Sequence, residues 1–471
     1  MVKRLVLFGT FLFSFSCVKS QQYGLFNTKT LFDSFENPAQ KAFVLDSSRQ
    51  FASNFFLPYL GLNAANRGDS KSALSSLIND RYYDTSNIPI GLKKRNRLFG
   101  STNIYLFNFK IFKSYKYHKE LGFSWQLRSD AFARYTNEAL VVFDDYNRFE
   151  GNQTGLLKTD GFGQSYHQFS VTYRENLNKR LAFGAKLSVL SGITYNSINI
   201  SNSNLAVDLD NNTVSVGLTA KYKSNFLRPD ELRFMNLLPT FKNPGIAASF
   251  GTTYTAKSGI LIMANIKDLG FIKWNRKSHV IYVDNTVTVG RETIDIANPE
   301  YINTNTLEDG LQDLFVDLDQ RKSFYTLTNA KADFMVSRKF RYYTPSLIVS
   351  KNLFYPGGDA VFMNTFKAQE YSLSLSPAYN MNGFLMFGTQ LMYQTPNFEF
   401  FIGSDNLLKT IAIKQETSLG GRSGASAYMG LAIKFGYVVE HPQNSSYMPG
   451  LEDDRETSFF GRIFRVFKKK R

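Results

Sequence analysis

The sequence predicts an all-β protein, a transmembrane antiparallel β-barrel of about 14 strands with small plug or cap helices. Three observations carry that prediction. Long stretches alternate apolar and polar residues with the period of two that marks a strand with unlike faces. These stretches run for ten residues or more, about twice the ~5–6 residues of an ordinary globular strand. The chain also opens with an export signal.

That signal reads MVKRLVLFGTFLFSFSCVKSQQYG. Lys3 and Arg4 precede an apolar core over residues 5–15 that is too short to span as a helix. Val18 and Ser20 stand at −3 and −1 to a cut before Gln21, so residues 1–20 are expected to be a secretory signal peptide. The single cysteine, Cys17, lies inside it, with Ser14 and Phe15 where a lipoprotein would carry Leu and a small residue. The mature chain is therefore expected to have neither a disulfide framework nor a thiolate metal site.

Composition agrees with a barrel. Hydrophobic residues make up 43%, and no internal stretch reaches the ~20 apolar residues of a spanning helix. Aromatics reach 15%, almost all Phe and Tyr, which favour strands and membrane boundaries. The formal charge is +16, from 55 basic and 39 acidic residues. For an exported chain the natural counter-charge is anionic lipid or polysaccharide, and no nucleic-acid partner is expected.

The strands follow in order. In LGFSWQLRSDAFAR (121–134), Leu121, Phe123, Trp125 and Leu127 alternate with Gly122, Ser124, Gln126 and Arg128. Similar runs start at Leu181, Thr213, Gly245, Glu370 and Ser426. Weaker ones lie near 51–62, 103–113, 166–174, 259–267, 330–337, 343–350, 384–393 and 398–403, giving about 14, with 12 to 16 as bounds. A soluble exported sandwich would use shorter strands, with turns every ~8–12 residues. A barrel needs tilted strands of ~9–11 residues, apolar outside and polar inside, with aromatic girdles. Tyr195, Tyr222, Tyr254, Tyr379 and Tyr437 stand at or near the run ends. Inside a bilayer the sheet has to close, because no water satisfies an open edge.

Four regions result: the signal peptide 1–20; an N-terminal plug and first-strand region, 21–100, with a short helix; the barrel, 101–440, with a long outer loop at 275–325; and a periplasmic tail, 441–471. Helical spacing after Asp69 (Ala73, Leu74, Leu77, Ile78) and at Leu311, Leu314, Phe315 and Leu318 predicts helices that cap or plug the lumen or cover an outer loop. In the tail, Phe460, Ile463, Phe464 and Phe467 recur at helical spacing beside Arg462, Arg465, Lys468 and Lys469, a basic amphipathic pattern for a membrane surface or a partner groove.

Asn37-Pro38-Ala39, the stretch IKDLGFIKWN with Asp268, Leu269, Gly270 and Trp274, and the late PNFEFFIGSDNLL with Asp405 and Asn406 resemble a family of uncharacterised outer-membrane barrels of Bacteroidota related to the FadL/PorV-like fold. The resemblance covers most of the mature chain. It implies a 14-stranded barrel in the cell outer membrane with an N-terminal segment in the lumen. Functions among such barrels range from uptake of hydrophobic solutes to a shuttle role in protein secretion, and no catalytic residue is implied.

The residues themselves supply little enzymatic chemistry. The four histidines, His118, His167, His279 and His441, are scattered and lack metal-ligand spacing. His167 shares a strand face with Phe169 and Val171 and reads as a strand-end residue near head groups rather than a hydrolase base. Asp144 and Asp145 read as a solvated loop, because calcium would need more oxygen ligands. GFGQS (161–165) and GGRSG (420–424) read as turns without the Lys-Ser/Thr end of a phosphate loop. No cofactor is expected. The expected function is therefore a non-enzymatic outer-membrane barrel, an accessory or partner-binding subunit of a cell-envelope or secretion assembly. Its contacts would be outer-membrane lipid and a protein in the periplasm or outer membrane. The alternative is a FadL-like channel for hydrophobic small molecules, in which Pro58, Pro345 and Pro377 mark strand kinks.

Overall fold

A computed structural model describes residues 23–43, 49–70, 85–113, 119–142, 148–208, 213–227, 237–290, 313–408, 422–438 and 459–460. Strand alternation is resolved into an inside and an outside. Along residues 119–136, Gly122, Ser124, Gln126, Arg128 and Asp130 are buried, whereas Leu121 and Phe123 are exposed. The polar face points inward and the apolar face outward, the inverse of a water-soluble sheet.

The described strands, in chain order, are β1 (Arg49–Ser53), β2 (Tyr59–Arg67), β3 (Arg95–Lys113), β4 (Lys119–Thr136), β5 (Gly151–Thr154), β6 (Thr159–Asn176), β7 (Leu181–Asp208), β8 (Thr213–Ser224), β9 (Pro244–Thr255) and β10 (Ile260–Trp274). After them come β11 (His279–Gly290), β12 (Gln320–Arg321), β13 (Phe324–Leu327), β14 (Lys331–Arg338), β15 (Tyr343–Asn352), β16 (Gly358–Ala368), β17 (Tyr371–Asn380), β18 (Phe384–Gln394), β19 (Phe398–Ser404) and β20 (Arg422–Val438).

Every pairing is antiparallel, and fourteen staves close a barrel. β1 and β2 share the first stave, followed by β3, β4, β6, β7, β9, β10, β14 extended by β13, and then β15 to β20. β20 returns to β1 and β2 and completes the ring. Exposed Val171, Leu187, Ile246, Phe334, Leu347 and Leu391 belong to a continuous apolar outer belt.

The total of fourteen agrees with the sequence reading, but one member differs. The run from Thr213 is not a wall stave. It is β8, paired with the far half of β7 and with β11 in a sheet that rises beyond the barrel. One face of that sheet covers an apolar cluster (Leu205, Val214, Val216, Leu218, Val283), so period two arises there without any lipid. Leu314, Phe315 and Leu318, on and just after the helix at 313–317, pack on the same cluster together with Leu140 and Val141 of the short helix Glu138–Val141. That helix therefore covers the outer sheet. The helix expected after Asp69 lies outside the described residues. The missing wall member is β16, whose inward Val361 and Met363 meet an apolar part of the lumen, so its sequence does not alternate.

The two barrel ends differ. β6–β7, β9–β10, β14–β15, β16–β17 and β18–β19 are joined by short turns at one end. The long connections, and the sheet built from β5, β8, β11 and β12, are at the other. The 275–325 connection belongs to this second end and contains β11 and β12.

Candidate functional site in the lumen

The lumen is filled by residues 23–43, a short turn at Tyr23–Leu25 followed by α1 (Asp33–Glu36). Phe32 lies within ring contact of Tyr59 at 4.7 Å, Phe401 at 5.6 Å and Tyr105 at 5.9 Å. Leu31, Phe35 and Phe43 are likewise fully buried. The wall opposite is cut back to glycine. A side chain at Gly430 would press on Phe32 as well as on the wall rings of Phe401 and Tyr59, one at Gly122 on Phe35 as well as on Thr172, and one at Gly184 would strike the Pro38 carbonyl. Gly251 receives Asn37 and Ala39 in the same way. The Asn37-Pro38-Ala39 motif is thus the piece that seats the segment against β7 and β9.

Backbone groups of this segment are satisfied by the wall, as buried amides and carbonyls require. The Leu31 amide donates to Glu399 at 2.7 Å, and the Ala42 amide to Glu120 at 3.3 Å. Arg174 Nε donates to the Ala39 carbonyl at 2.8 Å, and Asn265 to the Glu36 carbonyl at 3.1 Å.

Charges are paired across the same interface. The guanidinium of Arg128 on β4 bridges Glu36 of the segment and Asp268 of β10. Lys186 on β7 approaches Asp268 at 2.9 Å, and Lys267 lies 3.4 Å from Glu36 and 3.2 Å from Asp333. Tyr105 donates its hydroxyl to Glu36 at 2.7 Å. Burial opposes the Glu36 charge, but Arg128, Lys267 and Lys186 hold its pKa well below the ordinary value. One turn earlier, burial pushes the Asp33 carboxyl up to about 8, against the pull of the Lys29 and Thr28 backbone groups. Two acids on one short helix are thus pushed in opposite directions, and Glu36 is the one held by cations. Beside them is a small recess lined by Leu25, Phe26, Arg128, Lys267, Lys331 and Asp333. The lumen wall from β14 to β18 also carries an apolar patch, with Met335, Ile348, Met363 and Met386 clustered with Tyr23.

The remaining family-like residues are placed by backbone chemistry. Asp268 sits at φ 55° in a bulge between Ile266 and Leu269. Asp tolerates this left-handed conformation, and the bulge turns its carboxylate into the lumen. Leu269 faces outward, and a side chain at Gly270 would strike the Ile246 carbonyl. Trp274 is fully buried and donates to Thr326 at 2.8 Å. Asp405 and Asn406 are buried at the end of β19, where the Asp405 amide donates to Ser426 at 3.0 Å.

A second feature is a break in the first stave. Between Ser53 and Leu60, β1 and β2 advance further than the facing β20 does between Ile433 and Met429, so residues 54–58 bulge from the wall. Phe55, Phe56 and Leu57 are exposed, and both phenylalanines have left-handed φ. Buried Asn54 bridges the gap, accepting from the Asn108 amide at 2.8 Å and donating to the Leu57 carbonyl at 2.9 Å. Pro58 therefore marks a real break. Pro345 lies in an unbroken ladder, and Pro377 leaves Phe362 and Met363 unpaired with no register shift, because it lacks the N–H donor.

Other sequence expectations resolve plainly. His167 lies midway along β6 and not at a strand end as expected, held by the Trp125 indole N–H at 3.2 Å and the Leu237 carbonyl at 2.6 Å, and among the described residues no hydroxyl is bonded to it. Residues 161–165 are not a turn but part of β6, where the glycines allow close strand approach. Asp144 and Asp145 lie outside the described residues, as do residues 1–20 and most of the tail. Of the tail residues singled out, Phe460 is described. Its amide and that of Phe459 donate to Glu175 at 2.6 and 3.1 Å, and its ring meets Tyr173 and Phe183. Among the described residues no group of His, Cys, Asp and Glu is arranged to hold a metal.

The geometry defines a closed β-barrel whose lumen is plugged by its own N-terminal segment. The chain belongs to the DUF5723 family, a family of unknown function, whose model matches residues 46–405. No curated protein matches it. Among solved structures it is similar to the toluene transporter TodX of P. putida, at 8% identity and a TM-score of 0.39, covering 85% of this chain and 93% of that one. It is also similar to the translocator domain of the autotransporter NalP from Neisseria meningitidis, at 6% identity and a TM-score of 0.29, covering 83% and 90%.

Proposed function

We propose that this protein is a non-enzymatic outer-membrane barrel acting as an accessory or partner-binding subunit of a cell-envelope or secretion assembly. In this reading the short turns and both termini face the periplasm, and the sheet built on β7, β8 and β11 faces outward. The observation that carries it is the locked lumen. Buried aromatics and the Glu36–Arg128–Asp268 bridge hold residues 23–43 where a pore would need water. A barrel closed in this way has its rims and its outer sheet left for work. The test is conductance in planar bilayers together with gentle solubilisation from the native membrane. A closed wild-type barrel that conducts steadily only when residues 23–43 are deleted, and that co-purifies with one stoichiometric protein, supports the reading. Steady wild-type conductance, or a lone barrel carrying a bound lipid-like molecule, overturns it.

The wall break at residues 54–58 favours a second reading, a channel for hydrophobic small molecules with a lateral exit. Its test is uptake of a hydrophobic solute by cells with and without the gene. Equal uptake removes it.

A further inference from the structure

The recess beside Glu36 is walled by β3, β4, β10 and β14 and floored by the lumenal segment. On β4, Arg128 and Asp130 lie nearer the long connections than Gly122 and Glu120, which seat Phe35 and Ala42. The recess is therefore on the side of α1 that faces the long connections. Three of its residues hold Glu36 with one part of the side chain and leave another part over. Asn103 Nδ2 donates to the Glu36 carboxylate at 2.9 Å, and Asn265 Nδ2 to the Glu36 carbonyl at 3.1 Å. The two terminal nitrogens of Arg128 are taken by Glu36 and Asp268. These bonds leave Asn103 Oδ1, Asn265 Oδ1 and Arg128 Nε without a hydrogen-bond partner among the described residues. All three residues are more than nine-tenths buried, where an unmet polar atom costs ~1–3 kcal/mol.

The atoms left over define the chemistry that fits. Two amide oxygens lack a donor, as does Asp33 Oδ2 on the same side of α1, and the Arg128 Nε–H lacks an acceptor. A hydroxyl group both donates and accepts, whereas a carboxylate only accepts and an ammonium only donates. The charges around the recess are already engaged. Arg128 is paired with Glu36 and Asp268, and Lys267 with Glu36 and Asp333. Asp130 accepts from Asn329 at 2.7 Å, and Lys331 stands among Asp130, Asp333 and Asp359. A charged solute would give up its hydration here for counter-charges that are spoken for, a cost a neutral one escapes. Leu25 and Phe26 add an apolar side against which C–H groups can pack.

We propose that this recess binds a small neutral polyol of the sugar or cyclitol class. Its hydroxyls donate to Asn103 Oδ1 and Asn265 Oδ1 and accept from Arg128 Nε, joining β3, β4 and β10 around α1. Because the same three residues hold Glu36, a bound polyol tightens the lumenal segment on the wall. The inference goes beyond the accessory-barrel reading and stands or falls without it.

The test uses the full mature chain in an amine-oxide detergent, which carries no sugar group of its own. Saturation-transfer NMR is run with glucose, myo-inositol and glycerol as probes, and with glycine, acetate and tetramethylammonium as charged controls. Transfer to at least one polyol and to none of the controls is expected. Asn103→Ala and Asn265→Ala should each weaken that binding about fivefold, the contribution of one neutral hydrogen bond. Ser101 lines the recess and is not among the residues that hold Glu36, so Ser101→Leu should fill the space and abolish binding. Heat-modifiable mobility on gels reports that each variant is still a folded barrel. A readout that needs no variant is hydrogen exchange over residues 23–43 of the wild type, which should slow when the bound polyol is added. A folded wild-type barrel with no polyol signal holds only water in the recess, and the proposal falls. Equal transfer to glycine or acetate overturns the neutral class. Binding unchanged in Ser101→Leu, or wild-type exchange unchanged at saturating polyol, overturns the location.

Discussion

Gly184 on β7 faces Pro38 of the lumenal segment with no space for a side chain between them. Gly184→Ala is therefore expected to unseat the segment rather than unfold the barrel. Overpacking of this kind costs about 1–3 kcal/mol. The measurement is protease access to residues 23–43 in an otherwise heat-modifiable barrel. Protection equal to wild type would mean that the motif does not seat the segment.

Arg128 carries two carboxylates, buried Asp268 and half-buried Glu36, and no other described cation approaches both as closely. Arg128→Ala should cost about 3–5 kcal/mol, because it strands buried charge. Adding Glu36→Gln should recover part of that loss. Denaturant midpoints of the two single variants and the double variant give the coupling directly.

Charge on the lipid face should be severe. Leu187, 65% exposed on the outside, becomes Leu187→Arg at a cost of about 2–4 kcal/mol near the bilayer centre. Ser188→Arg, which a wet lumen would tolerate, should also be costly. Ser188 is buried, bonded to Gln168 at 2.9 Å and to Ser170 at 2.9 Å. The mild control is Asn204→Arg, exposed on the outer sheet and expected within about 0.5 kcal/mol of wild type. Refolding titrations in detergent rank the three.

Asn54→Ala removes the side chain that bridges the broken stave. Leaving the Asn108 amide without its acceptor should cost about 1–3 kcal/mol. If the second reading holds, entry of hydrophobic solutes should also change. Thermal melting and solute uptake of the same variant separate the two effects.

Sequence showed the wall well, because lipid outside and packed polar groups inside impose period two, as Phe123 and Ser124 illustrate. Arg128 and Lys186 show in the sequence as charges on the polar faces of the runs from Leu121 and Leu181. Their partners do not. Glu36 and Asp268 come from distant segments, and only closure of the barrel brings them together. A plug within residues 21–100 is expected from the sequence, but how it seats is illegible there, since its few aromatics have no period and gain meaning only opposite wall glycines. β16 was lost for the opposite reason: apolar residues on both faces erase the alternation.

The seam between β1 and β20 joins Arg49 to Val438, nearly the two ends of the barrel-forming chain. Such a pairing forms late, because the entropy of closing so long a loop comes before any ladder bond repays it. Residues 23–43 touch both banks of that seam, Phe32 meeting Phe401 of β19 and Gly430 of β20 on one side and Tyr59 of β2 and Tyr105 of β3 on the other. A segment that touches both banks would, if seated first, shorten the loop that remains to be closed. The stopper of the finished cylinder is then also the mandrel on which the sheet is rolled.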